Sequence, residues 1–149
     1  MRIEDEIKQP KFRDAYQRLV VNLLFTSNWL EGRQHDFFKP FGITTQQFNI
    51  LRILRGQHPN QISGVEIKTR MLDRNSDISR LLDRLLKKEL INKSQSENDK
   101  RAANVSITQK GLDLLSRIDE KFQEVERNHF NLTEAEATQL SQLLDKARG

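Results

Sequence analysis

Apolar residues recur along this chain at two different periods, and the switch between them marks its elements. From Ile3 to Phe37, the residues Phe12, Tyr16, Leu19, Leu23, Thr26 and Leu30 follow one another at spacings of 4, 3, 4, 3 and 4, the stripe of an amphipathic helix. Between Leu19 and Phe25 only Asn22 is polar, so that stretch needs cover on both faces. Pro40 and Gly42 end the segment. Thr44 or Thr45 is placed to cap a second helix, Gln46 to about Gly56, with Phe48, Leu51 and Leu54 facing a core. Ser63-Gly-Val-Glu66 is a capping box that opens a third helix, Gly64 to Leu72. Asp73 or Asn75 caps a fourth, about 75–88, where Ile78, Leu81, Leu82, Leu85 and Leu86 lie on one face and Ser76, Ser79, Arg80, Asp83, Arg84 and Lys87 on the other.

The period then drops to two. Ile91-Asn-Lys-Ser94 and Ala103-Asn-Val-Ser-Ile107 read as strands, and the polar stretch Gln95 to Arg101 between them reads as the tip of a β-hairpin. Thr108 caps a fifth helix, stapled by Ile107 and Leu112, in which Leu115, Ile118, Phe122 and Val125 form a near-heptad seam. Asn131 ends it. A second capping box, Thr133 to Glu136, opens a last helix with Leu140, Leu143 and Leu144 turned inward. The expected fold is mostly α with a small β-hairpin (α+β), in the order α-α-α-α-β-β-α-α, built as a single domain of 149 residues.

Composition narrows what such a fold can do. No apolar run is long enough for a membrane span or a signal segment. The absence of cysteine excludes disulfides, thiolate metal sites and thiol redox switching, and fits a reducing cytoplasm. His35, His58 and His129 show no metal-ligand spacing, and no organised nucleophile, base or carboxylate pair is present, so neither an enzyme nor a cofactor is expected. Net charge is +4, but residues 1–65 carry +3, residues 66–111 carry +4 and residues 112–149 carry −3. A basic working surface upstream of Leu112 and an acidic region with a different task follow from that asymmetry.

The basic helix and the hairpin tip Asp99-Lys100-Arg101 together make a helix-plus-wing unit suited to a phosphate backbone or a minor groove. Taken alone, the tip reads more readily as a solvated hairpin. In context, the chain from about Ala15 to Leu144 resembles the MarR family of bacterial transcription regulators. Ile78 to Lys88 looks like that family's recognition helix. Asp99-Lys100-Arg101, five residues and then Ile107-Thr108 look like its wing signature, with Ile107 where the family has Leu and Gly111 completing its Thr-x-x-Gly. One position departs: Glu89 stands where the family usually has a glycine at the helix end. A left-handed residue other than glycine costs about 1 kcal/mol, so either the exit differs or the strain is tolerated.

The resemblance implies a homodimeric winged helix-turn-helix regulator. Residues 1–38 and 109–149 would supply dimerisation helices, with Leu19, Leu23, Leu115, Ile118 and Leu140 losing water on association. Residues 43–108 would form the DNA-binding lobe, with the recognition helix at about 75–88 and the wing at about 91–107. Double-stranded DNA carrying a pseudo-palindromic operator is the implied partner. The implied contacts are Asn75, Ser76, Ser79, Arg80 and Arg84 on the helix and Asp99, Lys100 and Arg101 on the wing, with Arg101 in the minor groove and Asp99 bracing it or shaping the turn. Repression released by a small, partly aromatic ligand is the implied mode, with activation as its alternative. Phe25, Trp29, His35, Phe38 and Phe48 are the candidate ligand pocket, although the aromatic group reads more readily as core packing. A winged helix working through protein contacts is a further alternative, which Lys100 and Arg101 oppose.

Overall fold

Pro10 interrupts the first segment ahead of its apolar stripe, so no single helix runs from Ile3 to Phe37. The computed structural model, which describes residues 1–98 and 102–149, has a short α1 (Ile3–Glu6) and then α2 (Ala15–Phe38). Lys8 between them takes a left-handed φ of 54°, and the Asp14 carboxylate caps α2 by accepting from the Gln17 N–H at 2.8 Å. Arg18 of α2 donates to the Glu4 carboxylate at 2.8 Å. That bond and the Glu4 backbone N–H hold the carboxyl down at about 2. The single segment expected from Ile3 to Phe37 is thus two helices tied by an ion pair.

After a 3₁₀ turn at Lys39–Phe41, Gly42 turns the chain at φ 72°. Three helices follow: α3 (Thr45–Gln57), α4 (Gly64–Arg70) and α5 (Ile78–Lys87), with the two-residue strand β1 (Ile62–Ser63) just before α4. The hairpin strands are β2 (Ile91–Gln95) and β3 (Ala103–Ile107). The sheet is antiparallel in the order β1-β3-β2, with Ile62 opposite Val105 and Ile91 opposite Ile107. Period-two reasoning missed β1, because two residues carry no period. The core of this part combines Phe48, Leu51 and Leu54 of α3, Ile67 of α4, Leu81, Leu82 and Leu85 of α5, and Ile62, Ile91, Val105 and Ile107 of the sheet, all buried.

These elements belong to a first unit, Met1–Leu112; a second is Asp113–Gly149. Helix α6 (Gln109–His129) begins in the first and continues into the second, where α7 (Glu134–Arg148) follows. The Thr133–Glu136 capping box that opens α7 is present, and both the backbone N–H and the hydroxyl of Thr133 lower the Glu136 pKa.

Three expectations about the apolar seams are corrected. Leu115 and Ile118 are fully buried within one chain, so they have no water left to lose on association. Leu140 and Leu143, expected inside, are 46% and 55% exposed, and Leu86 is exposed on α5. A helical stripe identifies an apolar face but not whether the same chain covers it.

The exit of α5 answers the question raised by Glu89, which is left-handed at φ 61°. The Leu90 N–H donates to the Leu85 carbonyl at 3.1 Å and the Glu89 N–H to the Leu86 carbonyl at 2.9 Å, the paired bonds of a Schellman ending. The strain is tolerated, and the exit is the one a glycine would give.

Gly111 sits against this turn: a Cβ there would stand 2.5 Å from the Leu90 carbonyl oxygen and 2.7 Å from Ile107 Cγ1. Backbone on one side and a buried strand residue on the other leave no room to yield. Gly111→Ala is therefore expected to destabilise the fold by about 1–3 kcal/mol through overpacking, read as a lower urea midpoint with an unchanged slope. A wild-type midpoint would mean that α6 shifts freely against the hairpin base.

Candidate nucleic-acid interface

Helix α5 owes its position to an apolar face and a firm cap. Ile78, Leu81, Leu82 and Leu85 are buried, which leaves Ser79, Arg80, Asp83, Arg84 and Lys87 exposed along the opposite side. The helix begins at Ile78, three residues later than the sequence pattern indicated, because its cap is Asp77 and not Asp73 or Asn75. The Asp77 carboxylate accepts from the Arg80 N–H at 3.2 Å. Asn75 and Ser76 consequently lie in the turn between α4 and α5.

That turn is anchored from below. The buried Asn49 side chain of α3 accepts from the Leu72 N–H at 2.9 Å, and the Asp73 carboxylate accepts from the Asn75 N–H at 2.9 Å. Asn75 is exposed, whereas Ser76 is 6% exposed and its hydroxyl has no hydrogen-bond partner among the described residues. Ser76 was expected on the polar face of the helix; the later helix start turns it into the protein.

Lys88, just past the last turn of α5, is used internally. Its ammonium donates to the Gly42 carbonyl and, at 3.3 Å, to Oε1 of the buried Gln47. The same Gln47 oxygen accepts from the Thr44 N–H at 3.1 Å, while the Gln47 N–H donates to the Thr44 hydroxyl, a reciprocal cap for α3. One cation thus joins the end of α5 to the start of α3.

The hairpin flanks α5. Asp99, Lys100 and Arg101, the wing-tip candidates, lie outside the described residues. Nearer the base, Lys93 of β2 approaches Asp83 of α5 at 3.4 Å. Between α4, the start of α5 and the hairpin strands runs a channel of about 650 Å³. A smaller notch of about 250 Å³ on the other side of α5 is lined by Gln46, Arg80 and Arg84 among others. Sequence reading singled out neither Lys93 nor Lys68, which both line the channel. Ser63 ending β1 and capping α4 was the available signal, since it fixes α4 against the sheet.

The aromatic candidates do not form one site. Phe38 and Phe48 are buried with ring centroids 4.5 Å apart, and Phe37 packs edge-on against Phe38 at 5.0 Å. Phe25 is half-buried, His35 is exposed, and Trp29 is 36% exposed with the Arg33 guanidinium 4.7 Å above its ring. Trp29 lies nine residues before Phe38, roughly 13 Å along the helix. None of these rings lines the channel beside α5.

Comparison with known proteins gives this arrangement relatives. The MarR family model matches residues 43–103, the segment from the 3₁₀ turn to the start of β3. The transcriptional regulator PecS of Dickeya dadantii is 30% identical over 136 residues, which cover 89% of this chain and 82% of PecS. Among solved structures, a MarR mutant from E. coli in complex with operator DNA is 27% identical, with a TM-score of 0.70 over 90% of this chain and 98% of that one. An organohalide-sensing regulator in its 2,4-dichlorophenol-bound form shares the fold, with a TM-score of 0.80 at 21% identity over 91% of this chain and 80% of that one.

Proposed function

The chain belongs to the MarR family of transcription regulators, and on that premise we propose that it is a homodimeric, sequence-specific repressor that acts in the cytoplasm and is released from its operator by a small aromatic ligand. The observation that carries the DNA-binding reading is the exposed face of α5. Arg80 and Arg84 stand one turn apart, with Ser79 next to Arg80, on a helix whose other face is buried in the core and whose start and exit are closed by hydrogen bonds. A rigid helix with guanidinium groups facing outward suits bidentate contact to guanine edges in a major groove. Asn75 precedes it at the turn. Asp99, Lys100 and Arg101 extend the contact to the flanking minor groove, as their wing signature implies. In this reading residues 43–108 form the DNA-binding lobe.

Anisotropy titration of the DNA upstream of the protein's own gene, repeated across salt, tests this directly. Arg80→Ala is expected to lose about 1–3 kcal/mol of operator affinity if the side chain reads a base. Arg101→Ala should weaken binding and relax the preference for A·T-rich flanks. Unchanged affinity and salt slope in both variants would remove the recognition helix and the wing from the interface.

Dimerisation is supported by apolar surface that one chain leaves open. Tyr16, Leu19, Val20, Leu23 and Leu24 are exposed along one stretch of α2, a concentration that lone surface residues do not produce, and Leu140 and Leu143 of α7 are exposed as well. Residues 1–38 and 109–149 are accordingly the dimerisation segments, through these side chains and not through Leu115 or Ile118. Sedimentation at micromolar concentration should give twice the chain mass of 17.5 kDa; a stable, folded 17.5 kDa species would exclude the dimer.

For the ligand, Trp29 offers a stacking face already occupied by the Arg33 guanidinium, and His35 and Phe25 lie on the same helix. The dichlorophenol-bound relative shares the fold and so supports a phenolic effector. Phe38 and Phe48, buried against each other further along, pack the core and stand apart from that group. A phenol that quenches this sole Trp should lower operator affinity over the same concentration range, because the two equilibria are linked. Quenching with operator affinity unchanged would leave these side chains without a sensing role.

A further inference from the structure

A recognition helix and a wing engage neighbouring grooves of one duplex, so the sugar–phosphate strand dividing those grooves has to pass between them. Here that space is the channel of about 650 Å³ between α4, the start of α5 and the hairpin strands. Two cations stand on its walls, Lys68 from α4 and Lys93 from β2. Small residues, Gly64, Ala102 and Ala103, line it elsewhere and leave room for a backbone strand. The Asp77 carboxylate, also on the wall, is turned to the Arg80 N–H at 3.2 Å.

Lys93 is held in place from outside the channel. Its ammonium lies 3.4 Å from the Asp83 carboxylate, with side-chain exposures of 30% for Lys93 and 63% for Asp83. An ion pair so open to water is weak and readily exchanged. A phosphodiester entering the channel offers Lys93 the same single negative charge that Asp83 does, and its binding releases condensed counterions as well.

We propose that this channel seats the phosphate strand between the two grooves, with Lys68 and Lys93 as its anchors and Asp83 as the internal stand-in that positions Lys93 until a phosphate replaces it. The proposal rests on the DNA-binding reading above and deepens it. It adds two backbone contacts that carry no sequence information, and a carboxylate that opposes them.

The test is an anisotropy titration of the full chain with a labelled random-sequence duplex through a potassium chloride series, which needs no knowledge of the operator. Lys68→Ala and Lys93→Ala should each lower the slope of log affinity against log salt by about one per bound chain, while Lys93→Arg keeps the wild-type slope. Asp83→Asn should raise affinity severalfold, and most of that gain should vanish when Lys93→Ala is added. Matching thermal melts establish that the variants are folded. A wild-type slope in both alanine variants, or an Asp83→Asn gain retained in full without Lys93, overturns the phosphate seat and leaves the recognition-helix reading standing. A wild-type protein that binds no duplex overturns both.

Discussion

Glu89 and Leu90 are two residues of backbone on which the helix and the hairpin jointly depend. Their N–H groups close the end of α5. Their carbonyls take the other half of the load: the Thr108 hydroxyl donates to Glu89 at 2.8 Å and the Thr108 N–H to Leu90 at 3.1 Å. Thr108 in turn accepts from the Gly111 N–H at 3.1 Å. Helix exit, hairpin base and the first turn of α6 therefore share one knot of hydrogen bonds. A positive φ at Glu89 is the condition for it, since an extended residue there would send β2 away from β3. The knot is dense enough to hold a glutamate where glycine is the easier choice, and Lys110, 3.7 Å from the Glu89 carboxylate, places a countercharge beside it.

Around that fixed frame the cations divide by task. Lys88, half-buried, is committed to the protein itself, spanning the Gly42 carbonyl and Gln47. Arg80 and Arg84 stand outward on a helix that cannot rotate without unburying Leu81, Leu82 and Leu85. Lys93 is intermediate, tethered loosely to Asp83. Net charge counts these side chains alike, which is why +4 says so little and their placement says so much.

Much of this was legible from the order of residues. The face of α3, most of that of α5, the cap at Thr133 and the paired strands follow from periodicity and from hydroxyls placed three residues before a glutamine or glutamate; Thr45 stood beside Thr44 as a cap, and at Ser63 only the hydroxyl half of the box forms, the Glu66 carboxylate being held by Arg70. The start of α5 was misplaced because Asp73, Asn75 and Asp77 are all good caps, and only the anchoring of Leu72 to Asn49, 23 positions upstream, selects the last. Ser76 moved from the surface to the interior as a result. Strand β1 was invisible because its two residues pair with a partner more than forty positions away. The channel beside α5 could not be read at all, for a concave surface is a property of three elements together. The aromatic group divided for a related reason: Phe38 and Phe48 meet through a turn, while Trp29 lies too far back along α2 to join them.

Asp77 has a bearing on how such a helix would discriminate among duplexes. A helix start ordinarily offers bare N–H groups and a partial positive charge to any anion within reach. In α5 the cap carboxylate already fills that role, so the leading end of the helix gives no general reward for proximity to a phosphate. Attraction to the backbone is left to long, rotatable lysine and arginine side chains, which adjust to many sequences and let go easily. The rigid part of the helix is then free to favour only the base edges it fits, and indiscriminate adhesion and sequence reading fall to different atoms.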